Sequence, residues 1–320
     1  MSQVKTAVLI PGNINQRVID ALEGNVEIIR VPGGEAPALD PEVAQRIKAV
    51  AVSGVFKGAW MDLLPNLEIV ANFGVGYDGI EVEHAAKKGI IVTNTPDVLN
   101  DEVADTTIAL LLNTLRNLYN AEKYLRDGRW EKEGAFALSN YSLKGRKVGI
   151  FGMGRIGQEI AKRLEAFKVE IAYHTRNKRS EVDYTYYPTL KELAAAVDTL
   201  ICIVPGTAST HKIINAEILQ ALGKDGVFIN IGRGSSVDEE ALIKALRDKT
   251  IGAAGLDVFY AEPSVPPEFL ELDNVSLLPH VGSASIPTRN AMADLVSGNI
   301  LKWVRERTAI TPVAETPLKG

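Results

Sequence analysis

The sequence predicts an α/β protein with two parallel-sheet domains and a cleft between them. Short runs of β-branched residues alternate with amphipathic stretches along the whole chain, the pattern of strand–helix–strand units. The length of 320 residues corresponds to about two domains at roughly 150 residues each. The β-branched runs also fall into two series that are separated near residue 100.

The first series supplies five predicted strands, separated by helix-forming segments such as Val43–Lys48 and Val82–Lys88. These strands are expected at Thr6–Ile10, Val26–Val31, Ala49–Val52, Glu68–Ala71 and Ile90–Val92. The second series supplies six strands, which are expected at Lys147–Phe151, Glu170–Tyr173, Thr199–Val204, Val227–Ile231, Ala253–Val258 and Val275–Leu278. Six strands of this kind are what a dinucleotide-binding sheet requires.

Two long helical patterns flank the second series. The first spans Asp101–Tyr119 behind a candidate N-cap at Asn100, and its predicted buried face is Ala104, Thr107, Leu111, Leu112, Leu115 and Leu118. The second spans Ile286–Arg307, with a predicted buried face of Met292, Leu295, Val296, Ile300, Trp303 and Val304. Because this last helix has no sheet of its own, we expect it to return to the first domain. The predicted domains are therefore a discontinuous substrate domain of residues 1–99 and 287–320, and a dinucleotide-binding domain of residues 100–286.

Composition and charge exclude several classes of protein. Hydrophobic residues make up 46% and charged residues 23%, which is typical of a soluble globular chain and not of a disordered or fibrous one. The longest apolar runs are far shorter than the roughly 20 residues of a membrane span, and the first residues do not resemble a secretory signal. A net charge of −5 does not favour a nucleic-acid partner. The single cysteine, Cys202, excludes an intramolecular disulfide and a cysteine-based metal site, so we expect a cytoplasmic protein without a metal.

A glycine-rich motif follows the first strand of the second series. The residues Gly152-Met153-Gly154-Arg155-Ile156-Gly157 match the pattern G-x-G-x-x-G, and a helical pattern and a second strand come after them. The three glycines permit a tight turn, close approach of a pyrophosphate to the backbone, and close packing of helix on strand. An ordinary strand–helix turn is the alternative, and the surrounding strand and helix favour dinucleotide binding.

The turn after the next strand indicates which dinucleotide is bound. Its sequence is Tyr173-His174-Thr175-Arg176-Asn177-Lys178-Arg179, and it lacks the carboxylate that would hold the ribose hydroxyls of NAD. Arg176 offers a planar guanidinium to a 2′-phosphate, and Thr175 and Asn177 can donate hydrogen bonds. A solvated basic turn is the alternative, and we prefer that interpretation for Lys178 and Arg179. The sequence therefore favours NADP(H), with NAD(H) possible.

Three polar residues follow separate strands of the second series. Arg233, Glu262 and His280 come after the strands predicted at Val227–Ile231, Ala253–Val258 and Val275–Leu278 respectively. The carboxyl ends of parallel strands face one crevice, so we expect these side chains to meet. An arginine can bind a carboxylate, and a histidine can exchange a proton near neutral pH. A carboxylate beside the histidine favours its charged form.

These motifs, in this order, resemble those of the D-isomer-specific 2-hydroxyacid dehydrogenases, most closely the glyoxylate/hydroxypyruvate reductase branch. The resemblance rests on Gly-Met-Gly-Arg-Ile-Gly, Asn-Ile-Gly-Arg-Gly, Gly-Leu-Asp-Val-Phe-Tyr-Ala-Glu-Pro and Leu-Pro-His-Val-Gly-Ser, and it covers nearly the whole chain. It implies two Rossmann-like or flavodoxin-like domains. It also implies that Arg233 binds and orients the substrate, that Glu262 is the partner of the histidine, and that His280 is the general acid/base.

The resemblance extends to the contacts of cofactor and substrate. It implies that Asp257 binds the nicotinamide carboxamide, that Val204 and Pro205 line the adenosine side, and that Thr210 lies nearby. We also count Thr107, Ile231 and Gly282 among the predicted cofactor-binding residues. The substrate carboxylate is expected on backbone amides of two loops, 53–56 and 73–78, and the predicted substrate-binding residues there are Val55, Phe56, Gly74, Val75, Gly76 and Tyr77. The family is usually dimeric, which implies a homodimer with residues 100–119 and 130–141 at its interface.

The expected function is NADPH-dependent reduction of small 2-oxo acids, such as glyoxylate and hydroxypyruvate, to D-type 2-hydroxy acids. Arylpyruvate reduction remains open, because the rings of Phe56 and Tyr77 could stack on an aryl group. A non-enzymatic, NAD(P)-sensing protein similar to the corepressors of this fold also remains open, since fold alone does not define activity. Oxidation of formate or phosphite with NAD is disfavoured by Arg176.

Overall fold

The computed structural model describes residues 5–36 and 39–318 and divides into two compact units. The first unit comprises Met1–Leu99 and Ser285–Gly320, and the second comprises Asn100–Ala284. The boundary predicted from the sequence falls two residues later, between residues 286 and 287.

The first unit is built on a five-stranded parallel sheet. Its strands are β1 (Ala7–Pro11), β2 (Glu27–Val31), β3 (Ile47–Val52), β4 (Ile69–Asn72) and β5 (Ile91–Thr93), in the order β2-β1-β3-β4-β5. The helices between them are α1 (Gln16–Leu22), α2 (Pro41–Arg46), α3 (Gly58–Leu63) and α4 (Val82–Lys88). This is the flavodoxin-like strand order. The inner strands are almost wholly buried, as expected of parallel strands with both faces covered.

The second unit is built on a seven-stranded parallel sheet. Its strands are β6 (Lys147–Phe151), β7 (Glu170–His174), β8 (Thr185–Tyr186), β9 (Thr199–Cys202), β10 (Val227–Asn230), β11 (Ala253–Leu256) and β12 (Val275–Leu277). Its helices are α5 (Asn100–Arg116), α6 (Leu118–Arg126), α7 (Arg129–Glu133), α8 (Arg155–Ala166), α9 (Leu190–Ala196), α10 (Ala216–Leu222), α11 (Glu239–Arg247) and α12 (Pro267–Leu270). The order β12-β11-β10-β9-β6-β7-β8 is that of a dinucleotide-binding sheet with one further strand, β12. The predicted α/β class with two parallel sheets is confirmed. The strand β8 was not predicted, because two residues are too few to show a period.

Two predicted helices need correction at their ends. The helix α5 ends at Arg116 and not at Tyr119, because Asn117 adopts a left-handed conformation with φ 51° and α6 then begins. Leu118, which was expected on the buried face, is 50% exposed. The helix predicted at Val43–Lys48 is α2, which begins earlier because Asp40 caps it and accepts a hydrogen bond from the amide of Glu42 at 2.8 Å.

The last helix, α13 (Ile286–Glu306), belongs to the first unit and packs against α1, β3 and β4. Ser285 caps its first turn, and Arg307 ends it in a left-handed conformation with φ 56°. Of its predicted apolar face, Met292, Val296 and Ile300 are buried, while Leu295, Trp303 and Val304 are partly exposed. Over residues 5–36 and 39–318, no helix has the length and apolarity that crossing a membrane requires.

Candidate active site

The predicted site residues of the second unit follow the carboxyl ends of its strands. The loops after β12, β11 and β10, which are neighbours in the sheet, carry His280, Glu262 and Arg233. The loops after β9, β6 and β7 carry the predicted nucleotide-binding residues. The strand order therefore places Arg233, Glu262 and His280 on one half of this edge and the predicted nucleotide-binding residues on the other half. The order of the strands reverses between β6 and β9, the point at which ligands bind in open parallel sheets.

His280 and Glu262 form a hydrogen-bonded pair. The Nδ1 of His280 lies 2.7 Å from Oε2 of Glu262, and the other carboxylate oxygen accepts a hydrogen bond from the amide of Phe259 at 3.0 Å. Burial raises the pKa of Glu262, but the bonds from His280 and Phe259 and the charges of His280 and Arg233 outweigh it, so the net pKa is lowered. Because Nδ1 is engaged, Nε2 is the ring nitrogen of His280 that can exchange a proton with a ligand.

Asp257 fixes the backbone on which His280 lies. His280 has a left-handed conformation with φ 53°, and its amide donates to the Asp257 carbonyl at 2.8 Å. The two carboxylate oxygens of Asp257 accept the amides of Val281 at 2.7 Å and Gly282 at 2.8 Å. Burial raises the pKa of Asp257 despite these two hydrogen bonds, because the side chain is only 1% exposed. The structure thus gives Asp257 a positioning role toward His280, and its contact with a carboxamide stays a prediction.

Arg233 lies on a loop that packs tightly against the segment leading to Glu262. The carbonyl of Arg233 accepts hydrogen bonds from Asn230 Nδ2 at 3.0 Å and from Ser236 Oγ at 2.7 Å. A Cβ atom on Gly234 would overlap the backbone of Phe259, so only glycine allows this approach. The guanidinium is close enough to Glu262 for its charge to lower the pKa of that carboxyl. The structure therefore brings Arg233, Glu262 and His280 together.

The glycine motif fits a pyrophosphate. Gly152 has φ 111°, and a Cβ on it would lie 2.6 Å from the carbonyl oxygen of Ile203. A Cβ on Gly157 would overlap the carbonyl of Gly152, which shows how closely α8 packs on the turn. Gly154 is the N-cap of α8 and supplies no side-chain hydrogen bond, and the space around its Cβ position is open. The exposed start of α8, which has no side-chain cap, therefore presents the positive end of a helix dipole to a phosphate.

The turn after β7 fits a phosphate on the adenosine ribose. No carboxylate lies at the end of this strand. The next carboxylate along the chain is that of Glu181, which lies 3.9 Å from the guanidinium of Arg179. Arg176 is exposed and forms no ion pair with any residue in the described part of the chain. The Thr175 hydroxyl donates to the carbonyl of Asn177 at 2.6 Å, so in this structure it orders the turn.

The remaining predicted cofactor residues differ in their exposure. Val204 lies 3.1 Å from the Cβ position of Gly152, and Thr210 donates to the carbonyl of the exposed Pro205 at 2.7 Å. Ile231 is 5% exposed and packs beside the buried Gly282. Thr107 is a correction: its side chain is fully buried and its hydroxyl donates to the carbonyl of Val103 at 2.7 Å, so it does not reach the surface.

The two predicted substrate loops lie in the first unit. Val55 is 60% exposed, as a ligand contact would require. Phe56 is a second correction: its ring is fully buried and stacks on Trp60 with centroids 5.6 Å apart, so it cannot face a substrate. The hydroxyl of Tyr77 donates a hydrogen bond to the carboxylate of Glu315 at 3.2 Å. The pKa of Tyr77 is raised, mainly by burial and to a smaller extent by this carboxylate.

The sequence analysis missed two residues that shape the second of these loops. The side-chain amides of Asn72 and Asn94, at the ends of β4 and β5, donate to the carbonyls of Gly74, Val75 and Gly76. Polar residues directly after buried strands were a usable signal here, since the same signal had identified Arg233 and His280.

The fold and the site together define an NAD(P)-dependent oxidoreductase. The family model described as "D-isomer specific 2-hydroxyacid dehydrogenase, NAD binding domain" matches residues 108–282. The chain belongs to the D-isomer specific 2-hydroxyacid dehydrogenase family, and the resemblance inferred from the sequence is confirmed.

Three relatives illustrate the branch. An NADPH-dependent glyoxylate/hydroxypyruvate reductase from Sinorhizobium meliloti, solved in complex with NADP and malonate, is 57% identical with a TM-score of 0.97, and the match covers 99% of both chains. Glyoxylate/hydroxypyruvate reductase A from Arabidopsis thaliana is 51% identical over 250 residues, which is 78% of this chain and 79% of that one. Hydroxyphenylpyruvate reductase from Plectranthus scutellarioides is 49% identical over 253 residues, or 79% and 80% of the two chains.

Proposed function

We propose that this chain is an NADPH-dependent reductase of the small 2-oxo acids glyoxylate and hydroxypyruvate. The observation that carries the proposal is the 2.7 Å pair of His280 and Glu262 with Arg233 beside it, at the carboxyl ends of three neighbouring strands. The choice of substrate and cofactor is supported by the Sinorhizobium meliloti enzyme, which is 57% identical over almost its whole length.

Each of the three site residues would have a separate role in the reaction. NADPH, when bound, supplies the hydride that the carbonyl carbon accepts. Arg233 binds and orients the 2-oxo acid through charge-assisted hydrogen bonds. Nε2 of His280 donates a proton to the carbonyl oxygen as that oxygen becomes a hydroxyl, and Glu262 balances the charge of the imidazolium and holds the ring. The product is a 2-hydroxy acid, of D configuration where it is chiral, and His280 regains its proton from water.

The remaining binding residues complete the proposal. The amides at Gly154, Arg155 and Ile156 would hold the pyrophosphate, and Arg176 would bind the 2′-phosphate, so NADPH would be preferred to NADH. The substrate carboxylate would be bound by the free amides of Val75, Gly76 and Tyr77. The contact between Asp257 and the carboxamide predicted from the sequence is retained as part of the proposal.

We further propose that the protein works as a cytoplasmic homodimer. Five large apolar side chains between residues 118 and 138 are exposed in the single chain: Leu118 50%, Tyr119 67%, Leu125 54%, Trp130 61% and Leu138 96%. Such a concentration of exposed apolar side chains is typical of an interface. Light scattering coupled to size-exclusion chromatography should give twice the chain mass of 34.6 kDa. A single-chain mass at micromolar concentration would contradict the dimer. The cytoplasmic location rests on the lone, buried Cys202.

An initial-rate panel tests the catalytic proposal. Glyoxylate, hydroxypyruvate, pyruvate and phenylpyruvate are each assayed with NADPH and with NADH. We expect the highest kcat/KM for hydroxypyruvate or glyoxylate with NADPH. A higher kcat/KM for phenylpyruvate would favour arylpyruvate reduction, the candidate supported by the 49% identity to the Plectranthus scutellarioides enzyme. No turnover of any 2-oxo acid with either cofactor would contradict both.

A further inference from the structure

The loop Gly74–Gly76 is held by its carbonyl groups. Nδ2 of Asn72, a side chain that is only 3% exposed, donates to the carbonyls of Gly74 at 3.1 Å and Gly76 at 2.9 Å. Nδ2 of Asn94 donates to the carbonyl between them, that of Val75, at 2.8 Å. Two side-chain amides therefore fix three consecutive peptide groups of the loop.

This arrangement frees the amides of the same peptide groups. In a trans peptide the N–H points opposite to the C=O, so each amide is directed away from the asparagine that holds its carbonyl. Within residues 5–36 and 39–318, no group accepts a hydrogen bond from the amides of Val75, Gly76 or Tyr77. Successive free amides of this kind make an anion-binding concavity.

Asn94 is itself held by a polar relay that reaches the C-terminal helix. Its amide donates to the carbonyl of Thr311 at 3.3 Å, and its carbonyl accepts the Thr311 hydroxyl at 2.7 Å. Nδ2 of Asn299, a fully buried residue on α13, donates to the same hydroxyl at 2.9 Å. Oδ1 of Asn299 accepts the amides of Ile310 at 2.8 Å and Thr311 at 3.0 Å. The loop is thus connected by hydrogen bonds to the centre of α13.

We propose that Asn72 and Asn94 are positioning residues that preorganise the amides of residues 75–77 for the substrate carboxylate, and that Thr311 and Asn299 hold Asn94 in place. This inference rests on the proposed function for the identity of the anion. The loop contributes no formal charge, so its affinity for an anion depends on how well its amides are aimed before binding. Fixing the carbonyl side removes the reorganisation that a mobile loop would undergo when the anion binds.

Variants of near-constant size separate this role from a merely structural one. Asn94→Leu removes the side-chain donor to Val75, and Thr311→Val removes a hydroxyl that touches Asn94 and not the loop. Asn66→Leu is the matched control, because Asn66 also donates from Nδ2 to a backbone carbonyl of the first unit, that of Gln45 at 2.7 Å. Malonate is the anion probe, measured as a competitive inhibitor of hydroxypyruvate reduction and by calorimetry.

We expect Asn94→Leu to raise the Ki of malonate and the KM of hydroxypyruvate about tenfold, the loss that follows when one charge-assisted hydrogen bond is weakened. Thr311→Val should raise both by a smaller factor. In both variants kcat and the Kd of NADPH, followed by cofactor fluorescence, should stay within about threefold, since neither residue takes part in proton transfer. Asn66→Leu should change none of these constants.

Unchanged malonate affinity in a folded Asn94→Leu protein would overturn the inference, and so would a fall in kcat at constant KM. If Asn94→Leu does not fold, Thr311→Val decides by the same criteria. Failure of the proposed function is distinguishable, because it would appear as absence of turnover in the parent protein. Calorimetry with malonate would then still show whether the relay positions the anion-binding amides.

Discussion

Arg176→Ala tests the proposed preference for NADPH most directly. The side chain is exposed at the end of β7 and has no ion pair among the described residues, so its removal should leave the fold intact. In the proposed complex it would face a 2′-phosphate that only NADPH carries. The variant should therefore lose activity with NADPH and keep its activity with NADH.

The magnitude follows from the kind of contact and its exposure. Hydrogen bonds to a charged group contribute about 1.5–3 kcal/mol, and each 1.4 kcal/mol changes an equilibrium about tenfold. Because the guanidinium is exposed and screened by water and salt, the lower part of this range applies. We expect kcat/KM with NADPH to fall about 10- to 30-fold and kcat/KM with NADH to change less than about twofold.

Arg179→Ala is the matched control. It removes the same charge from the same turn, but Arg179 is already near Glu181 at 3.9 Å. A general loss of positive charge would act on both variants alike and would weaken at high salt, since exposed charges are screened beyond about 8 Å at physiological ionic strength. An equal loss with both cofactors in Arg176→Ala, or the same loss in Arg179→Ala, would refute the reasoning.

Four further substitutions test the site. His280→Asn should abolish turnover and leave the Kd of NADPH, measured by cofactor fluorescence, nearly unchanged; retained activity would mean that another group supplies the proton. Glu262→Gln should lower the free energy of unfolding in urea most above pH 4.5, the ordinary pKa of this carboxyl, and progressively less as pH falls through the lowered pKa that the carboxyl has in the folded chain; a difference from the parent that does not shrink as pH is lowered would contradict this. Gly234→Ala should lower the free energy of unfolding by about 1–3 kcal/mol and reduce kcat/KM, since its Cβ would overlap the backbone of Phe259; an unchanged urea midpoint would show that the loop of Arg233 can shift to accommodate the added Cβ. Tyr77→Ala should shift the ratio of kcat/KM for hydroxypyruvate over phenylpyruvate toward the aryl acid, and a shift in the opposite direction would support stacking of the ring on an aryl substrate.

The strands were predictable because a buried parallel strand is almost continuously apolar. The strand β6, Lys147–Phe151, was predicted with the bounds that the structure shows, and most others differ by one or two residues at an end. The end of α5 was not predictable in the same way. Asn117 adopts a left-handed conformation, and its neighbours on both sides continue a helical pattern that gives no sign of the break.

The three predicted catalytic residues were predictable because the topology of the sheet places them at the same edge. Arg233, Glu262 and His280 each follow a parallel strand, so any fold of this class brings them to one edge. Exposure was not predictable from such positions. Val55 and Phe56 are adjacent after β3, yet one is 60% exposed and the other is fully buried against Trp60. Which of two neighbouring loop residues turns inward depends on the packing of α3, which local sequence does not encode.

The least predictable feature is the way carboxylates hold the backbone around the histidine. Glu262 accepts the amide of Phe259 while it pairs with His280, and Glu239, on the first turn of α11, accepts the next amide, that of Tyr260, at 2.9 Å. Burial raises the pKa of Glu239, whereas the hydrogen bond from His280 helps to lower that of Glu262. Both are glutamates with the same ordinary value, so Glu239 takes up a proton first as pH falls. The segment that carries Glu262 therefore loses the charge on Glu239 while the carboxylate of Glu262 is still ionised. This order of protonation depends on a residue outside the pair, Glu239, which only the folded chain brings beside the segment 259–262.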